Sequence, residues 1–334
     1  MNIVYLIGNG FDLAQDLKTS YKDFYNKSYK WSHPVNKVEQ KIIESITENV
    51  EDWSNLEWAL GTFTKEVNDV EGFAEAYESL YLKLKDHLLS EENRFSAVNI
   101  ERYRNELANP FADLSYREQQ AYHEFSSGFF GATSIVNIIS FNYTDVFERA
   151  IGYQYQPIPL KGEYYRDGIQ LNNVYKVHGS LRGTFLMGVN DSSQIANSAF
   201  STNLDICDFL VKPRVNQNLG QSFDRFALDL IGNANLIIVF GMSIGETDKL
   251  WWKQVADRLK APNVRMIIFH HPNSLIPEDR KWKEEKEKRK VKKHLEDVAE
   301  VPKSLREDLD AKITVSMKGY MFNPHVVRYE VGEQ

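Results

Sequence analysis

The stretch that decides the fold opens the chain: residues 3–12 read IVYLIGNGFD. The short run of apolar and β-branched residues over 3–7 is typical of a strand that is buried on both faces. Gly8-Asn9-Gly10 follows at once, and these residue types mark a tight turn. We therefore predict a parallel strand, a turn, and a helix that begins near Phe11 or Asp12.

Outward from this stretch, strand-like runs recur with helix-like segments between them. The runs lie at 134–140, 173–177, 235–240, 264–269 and 312–317, and residues 184–187 are expected to pair nearby. This alternation predicts an α/β fold, a Rossmann-type and mostly parallel sheet with helices on both faces. Apolar and aromatic residues at helical spacing fill the long interval between the first two strands. We predict an α/β core of residues 1–19 and 133–334, and an all-helical insertion of residues 20–132.

Composition excludes several classes of protein. With 334 residues, 42% hydrophobic and 26% charged, the chain is neither disordered nor collagen-like. Its net charge of −7 argues against a uniformly basic nucleic-acid binder. Residues 280–293 are locally basic, and the i,i+4 spacing of Glu284 and Lys288 favours a solvated helix face. A nucleic-acid-cleaving toxin that uses this run is the weaker hypothesis.

Cysteine content and hydropathy narrow the class further. The single cysteine, Cys207, rules out a disulfide within the chain, and no Cys/His cluster has the spacing of a zinc site, so no metal is expected. No segment approaches the roughly 20 apolar residues of a membrane span. We expect a cytoplasmic protein with neither a membrane nor a nucleic acid as its partner.

Four predicted strands end in clusters of small or polar residues. The clusters are Gly8-Asn9-Gly10, Phe141-Asn142-Tyr143-Thr144, His178-Gly179-Ser180 and Gly241-Met242-Ser243. Ligands of open α/β sheets bind just beyond the carboxyl ends of the strands. The four clusters together therefore predict one binding site at one edge of the sheet.

Each cluster alone also has an ordinary structural explanation. Leu13 stands where a dinucleotide-binding G-x-G-x-x-G motif has its third glycine, so the first turn could be a plain strand-to-helix connection. Asn142 could be a helix cap or a turn residue. His178 could take a proton, accept a hydrogen bond from a ribose hydroxyl, or be a buried core histidine. Thr247 or Asp248 could cap the helix that follows Gly245.

Three further features carry weaker expectations. Glu57 lies within the helical insertion, where a solvated helix residue is the preferred interpretation. His270 and His271 are adjacent in sequence and point apart in a strand, which favours a structural role over metal binding. Cys207 has no base beside it in sequence and is expected to be buried.

In this order, the clusters resemble the sirtuin-like NAD-binding fold. The stretch IISFNYTDVFERAI is similar to the bacterial sirtuin-like Thr-Asn-Tyr-Asp pattern before a helix, and VYKVHGSL to its Lys-x-His-Gly strand end. Thr144 stands where that pattern usually has Asp, and the Gly-Ile-Pro-Asp-Phe-Arg loop is absent. With one cysteine the four-Cys zinc module of the deacylases cannot form, so the resemblance implies a bare NAD-consuming core.

The chain also resembles the AbiH family of bacterial abortive-infection proteins, over essentially its whole length. The opening LIGNGFDLAQDLKTSYKDF is similar to that family's N-terminal signature, and FNYT, VHGSL and FGMSIGETD are similar to its later blocks. This resemblance implies a role in defence against phage.

Together the two resemblances imply roles for individual residues. Asn142 and His178 are the implied catalytic residues: Asn142 would orient the reacting ribose or the attacking water, and His178 would contact a ribose hydroxyl as a base or as an anchor. The implied NAD-binding residues are Gly8, Asn9, Gly10, Phe11, Asp12, Tyr143, Thr144, Gly241, Ser243, Gly245 and Asp248.

The function expected is hydrolysis of the nicotinamide–ribose bond of NAD through an oxocarbenium-like transition state. The alternative is a sensor that binds a nucleotide without turnover and thereby controls assembly or a partner. NAD or a related nucleotide is the expected ligand. A homo-oligomer and a phage-derived trigger are left open as partners.

Overall fold

The computed structural model describes residues 1–96, 99–162, 165–220, 222–271, 280–318 and 321–325. A seven-stranded sheet lies at its centre, with the strand order β3-β4-β2-β1-β5-β6-β7. The strands are β1 (Asn2–Ile7), β2 (Ser134–Ser140), β3 (Ile158–Leu160), β4 (Ile169–Lys176), β5 (Leu236–Phe240), β6 (Arg265–Phe269) and β7 (Ile313–Ser316). All neighbours pair in parallel except β3, which runs antiparallel to β4 at the edge.

Helices connect these strands. They are α1 (Gly10–Ala14), α2 (Tyr21–Lys27), α3 (Lys37–Glu48), α4 (Leu56–Phe63), α5 (Val70–Glu92), α6 (Ile100–Ala108), α7 (Tyr116–Ser127), α8 (Val146–Ala150), α9 (Ser198–Ser201), α10 (Leu204–Leu210), α11 (Lys212–Asn218), α12 (Phe223–Gly232), α13 (Lys249–Leu259), α14 (Lys281–Val298) and α15 (Lys303–Asp310). Every helix among the described residues is either too short or too polar to span a bilayer.

The parallel strands follow the order of dinucleotide-binding folds. Numbered among themselves along the chain, they lie in the order 3-2-1-4-5-6, which is the doubly wound arrangement with its reversal point between the first and fourth strands. Here those strands are β1 and β5. The predicted α/β fold with a mostly parallel sheet is therefore confirmed, and its ligand crevice is expected where β1 and β5 end.

The central strand β1 contributes to the core on both faces. Ile3, Tyr5 and Ile7 pack with α6, α7 and α8, whereas Val4 and Leu6 pack on the opposite face with α12, α13, α14 and α15. Alternate side chains of a strand point to opposite faces, so a strand buried on both faces must be apolar throughout. This explains why β1 has no polar position between Ile3 and Ile7.

A third cluster of buried apolar residues forms a helical lobe, which we define as α2–α5 together with residues 181–211 and α11. Its core joins residues such as Leu60 and Leu80 to Phe185 and Leu210. Helices α6 and α7 pack instead on the sheet, where Tyr5 Oη donates to the carbonyl of Leu107 at 2.7 Å. These clusters of buried residues do not follow the predicted boundaries between a core and an insertion of 20–132. That division stays a prediction.

Residues 184–187 pair nearby, as expected: Phe185 forms an isolated antiparallel bridge with Gly179, although no longer strand develops there. The antiparallel edge strand β3 was not predicted, because three residues that include Pro159 carry no strand signal of their own. The predicted solvated helix is confirmed for the described residues of the basic run: Lys288 and Glu284 on α14 pair at 2.9 Å.

Candidate functional site

The parallel strands end in one row. Ile7 pairs with both Ser140 of β2 and Phe240 of β5, and Ser140 pairs with Lys176 of β4. The next residue along each strand therefore begins a loop at the same edge of the sheet. The four clusters predicted to meet at this edge do meet there.

The two glycine turns at the reversal point touch each other through their backbones. A Cβ on Gly8 would lie 2.6 Å from the Gly241 carbonyl oxygen, and one on Gly10 would lie 2.4 Å from the Gly241 Cα. Gly241 has a φ of +65°, and Gly10 N donates to its carbonyl at 2.7 Å. The missing side chains thus make room for the opposite loop. Diphosphate binding by these glycines stays a prediction.

Two other residues of the first turn stabilise the loop itself. The Asn9 side chain hydrogen-bonds with Thr19, whose Oγ1 donates to Asn9 Oδ1 at 2.7 Å. The Phe11 ring is fully buried, and its edge-to-face contacts with Phe147 and Phe240 belong to the core of the sheet. The Phe11 side chain is therefore part of the core, whereas the Asn9 side chain is partly exposed and stabilises the loop.

Asp12 forms a buried polar cluster with the loop after β2. Its Oδ1 accepts from Asn142 Nδ2 at 3.0 Å, and its Oδ2 accepts from Thr144 Oγ1 at 2.5 Å. Burial is the main cause that raises the pKa of Asp12 to about 7, although both hydrogen bonds and the Lys176 ammonium lower it. The Asp12 carboxyl therefore changes its charge near neutral pH.

A second polar chain joins the sheet edge to the helical lobe. Tyr143 Oη donates to Glu57 Oε1 at 2.7 Å, and Lys212 Nζ donates to Glu57 Oε2 at 2.7 Å. Lys212 Nζ also lies 3.3 Å from His178 Nε2. All four groups come from different segments, namely α4, α11 and the loops after β2 and β4. We call Glu57, Tyr143, His178 and Lys212 the buried relay.

The environment keeps His178 neutral. Burial, and after it the Lys212 ammonium, hold the pKa of His178 well below its usual range, although a hydrogen bond with the Phe141 backbone raises it. An ammonium group has only protons to donate, so Nε2 is the acceptor and the ring proton lies on Nδ1. Burial likewise raises the pKa of Tyr143, and Glu57 adds to that rise.

The loop after β5 completes the site. Ser243 is exposed, and a Cβ on Gly245 would make only ordinary contacts, with Thr247, Asn55 and Ser243. Asn55 Nδ2 donates to Thr247 Oγ1 at 3.1 Å, which ties this loop to the start of α4. Asp248 stands at the N-cap of α13 as expected, but its side chain makes no cap hydrogen bond with a described residue, and Thr247 Oγ1 accepts from Asn55.

Asp248 lies close enough to the buried relay for the charges of Lys212 and Glu57 to shift its pKa. Burial is the main cause that raises the pKa of Asp248 to about 7; Lys212 lowers it and Glu57 raises it. Asp248 Oδ1 and Asn142 Oδ1 are buried acceptors that receive no hydrogen bond from any described residue. The same holds for Asn216 Oδ1, one helical turn from Lys212 on α11. Buried acceptors of this kind call for a donor, such as a ligand hydroxyl or water.

Glu57 and Lys212 were not identified from the sequence. Glu57 was expected to be solvated, but it is only 6% exposed and lies on the buried face of α4 with Leu60 and Gly61. The available signal was its spacing. Glu57 stands three residues before Leu60 and four before Gly61, which places all three on one face of a helix. Lys212 was not considered, although the apolar residues before it, Phe209 to Val211, could have indicated a buried position.

His270, which was expected to be structural, directly follows β6, and its Nε2 lies 3.9 Å from the Glu287 carboxylate of α14. Cys207 is buried, as predicted.

A family model described as "Bacteriophage abortive infection AbiH" matches residues 4–270. No curated protein matches the chain. The matched range contains Asp12, Asn142, Asp248 and the whole buried relay.

Proposed function

This chain belongs to the AbiH family of bacteriophage abortive-infection proteins, and from that premise we propose that it binds NAD at the strand ends and hydrolyses the nicotinamide–ribose bond. Family membership supports the defence role. The enzymatic step is our inference from the site. Loss of NAD would stall an infected cell, which is the outcome that abortive infection requires.

The observation that carries the proposal is the buried relay at the carboxyl edge of the sheet. It brings a carboxylate, an ammonium, a neutral imidazole and a phenol into one hydrogen-bonded chain, at 2.7 to 3.3 Å spacing. Its members come from positions 57, 143, 178 and 212, so only the folded chain assembles it. Burial shifts the pKa values of two of its members, His178 and Tyr143, and groups with perturbed pKa values concentrate at functional sites.

The reaction needs few groups from the protein. The C1′–N bond breaks with its electron pair going to nicotinamide, which leaves as a neutral molecule, and positive charge develops on the ribose. Water then bonds to C1′ and loses a proton. Asn142 Oδ1 and Asp248 Oδ1 would accept hydrogen bonds from ribose hydroxyls in this arrangement. Ser243, which is exposed, and Gly245, where a Cβ would make only ordinary contacts, would face the diphosphate.

The test is NAD consumption by the purified protein, with nicotinamide and ADP-ribose separated as products. Nicotinamide release by the wild type that falls at least about 100-fold in Asn142→Ala and His178→Ala is the expected result. Cys207→Ser, a buried substitution in the helical lobe, serves as the control and keeps the activity. No release by the wild type, with or without phage lysate, contradicts the proposal.

The second candidate is a nucleotide sensor without turnover. The burial of the site favours the sensor. Asn142 and His178 are only 4% and 7% exposed, and Asn142 Nδ2 already donates a hydrogen bond to Asp12. A site that encloses its ligand this fully suits retention better than rapid release. Equilibrium dialysis with labelled NAD, followed by recovery of intact NAD, would support the sensor over the hydrolase.

A further inference from the structure

We infer that Glu57, from the helical lobe, is the catalytic carboxylate that takes the proton from the attacking water, and that Lys212 and His178 are positioning residues that hold it. This inference rests on the proposed function and adds the proton acceptor that the reaction needs. It also makes the helical lobe part of the reaction centre.

His178 is not free to act as this base. Its Nε2 lone pair faces the Lys212 ammonium at 3.3 Å, and the ring also makes a hydrogen bond with the Phe141 backbone. A neutral imidazole has one acceptor nitrogen, so the Lys212 contact uses its whole accepting capacity. Lys212, as an ammonium, accepts no proton.

Asp12 and Tyr143 are also unsuited to the task. Asp12 has no solvent exposure, and each of its carboxyl oxygens already accepts a hydrogen bond, from Asn142 and Thr144 respectively. Tyr143 keeps its proton, because burial and Glu57 both raise its pKa.

Glu57 retains accepting capacity. Each of its carboxylate oxygens receives one hydrogen bond, from Tyr143 and from Lys212, and a carboxylate oxygen has two lone pairs. These two contacts fix the carboxylate plane from opposite segments of the chain. A carboxylate held on both oxygens, with one lone pair left on each, has a fixed orientation and can still accept a proton from a water that comes within hydrogen-bond distance.

The C1′–N electron pair leaves with nicotinamide, the water oxygen bonds to the cationic C1′, and one water proton passes to the Glu57 carboxylate. Glu57 then releases that proton to solvent. The sum is NAD and water giving nicotinamide, ADP-ribose and one proton.

The experiment compares Glu57→Gln and Glu57→Ala with Glu39→Gln. Glu39 is a matched control, since it is a fully buried acid of the same lobe that pairs with Lys83 at 2.9 Å, outside the site. We expect Glu57→Gln to lower nicotinamide release at least about 100-fold and to bind NAD with the wild-type Kd in titration calorimetry. Glu39→Gln should keep most of the activity.

Azide separates a chemical role from a structural one, because it attacks C1′ without having a proton to lose. Added azide should restore nicotinamide release to Glu57→Ala and yield an azido-ADP-ribose product, with no gain for His178→Ala. If Glu57→Gln keeps wild-type release while Asn142→Ala abolishes it, the inference is wrong and the proposed hydrolase stands. The inference would also be overturned if Asp248→Asn lost nicotinamide release and regained it with azide, while Glu57→Ala gained nothing from azide. If the wild-type protein releases no nicotinamide, both this inference and the proposed hydrolase are wrong.

Discussion

Asp12 has no solvent exposure, and burial raises its pKa from 3.8 to about 7. The folded state therefore binds the Asp12 proton more tightly than the unfolded chain does between these two values. Stability from this group is fully present below pH 4 and is lost as pH rises towards 7. The full difference is on the order of 4 kcal/mol.

Asp12→Asn should flatten this part of the pH dependence. An amide carries no charge at any pH of interest, so the loss of unfolding free energy between pH 4 and 7 should shrink by a few kcal/mol. Asn142 Oδ1, which has no described partner, can accept from the new amide after a flip of the Asn142 side chain. Urea unfolding at pH 4, 5.5 and 7 measures the effect.

Asp52→Asn is the control for this measurement, because Asp52 is exposed. It should leave the pH profile of the unfolding free energy unchanged. Asp248 carries the same sign of dependence, with a pKa of about 7, so the Asp12→Asn profile keeps a slope. A profile as steep as that of the wild type would show that Asp12 is ionised in the fold at pH 4 to 7.

Lys212→Met should raise the pKa of His178. The Lys212 ammonium is the second cause, after burial, that lowers this pKa, and methionine removes the charge at similar length. Nitrogen-15 shifts of the imidazole, followed by NMR titration, report the change. Lys83→Met, which removes an ammonium from the Glu39 pair elsewhere in the lobe, should leave the His178 titration where it is in the wild type.

Among the site residues, those that directly follow a strand could be predicted from the sequence. Asn142 and His178 each stand one or two residues beyond an apolar β-run, and strand ends share an edge. Glu57 could not be placed with them, because a residue in a distant helix meets the sheet only through packing of the whole lobe. Lys212 could not be placed for the same reason. Pro213 next to it indicates the start of a helix but gives no sign of a buried ion pair.

The two glycine turns illustrate how elements fix each other. Gly241→Ala should lower the unfolding free energy by about 2 to 4 kcal/mol, since it adds a backbone clash to a left-handed conformation. A Cβ there would lie 2.6 Å from Phe11 N. Thermal or urea unfolding measures the loss.

Gly168→Ala is the matched control for Gly241→Ala. Gly168 also has a positive φ, +86°, but a Cβ would meet nothing within 4 Å. The cost there should be about 1 kcal/mol, from the backbone alone. Equal losses at both positions would mean that the contact between the loops after β1 and β5 does not constrain the fold.

Asn55 serves two elements at once. Its Oδ1 caps α4 through Trp58 N at 3.1 Å, and its Nδ2 donates to Thr247 in the loop after β5. Asn55→Asp keeps the cap and loses the donor, whereas Asn55→Ala loses both and should cost about 1 kcal/mol more. Urea unfolding compares the two variants, and similar stabilities would show that the cap contributes little.

Over the whole molecule, the site joins the sheet to the helical lobe. If NAD binds there, hydrogen exchange should slow on both sides: in the loops after β2 and β5, and also in α4 and α11. Protection follows local opening, and a bound ligand stabilises every segment that it connects. Exchange monitored by mass spectrometry, with and without NAD, measures this.

Helix α7, which packs on the sheet through Tyr122 and away from the site residues, is the internal reference for this exchange measurement. Its exchange should not change on adding NAD. Protection confined to the sheet loops would mean that the lobe takes no part in binding.

The sheet could be predicted from the sequence because its strands carry local signals. Runs such as 236–240 are apolar along their whole length, and parallel pairing follows from the helices between them. The helical lobe could not be predicted in the same way. Its core joins α2–α5 to residues 181–211, and helical periodicity identifies a buried face without identifying its partner.

The position of β1 between β2 and β5 has a consequence for synthesis on the ribosome. Strand β1 emerges first, but its partners are β2, which begins at Ser134, and β5, which begins at Leu236. At roughly 5 to 20 residues per second, the first strand waits on the order of 10 to 50 s for its second partner. The loops that carry Asp12 and Asp248 meet only after that interval, so a nascent chain that stalls before β5 has no assembled site. Under the proposed function, such a chain could not consume the NAD of the cell that makes it.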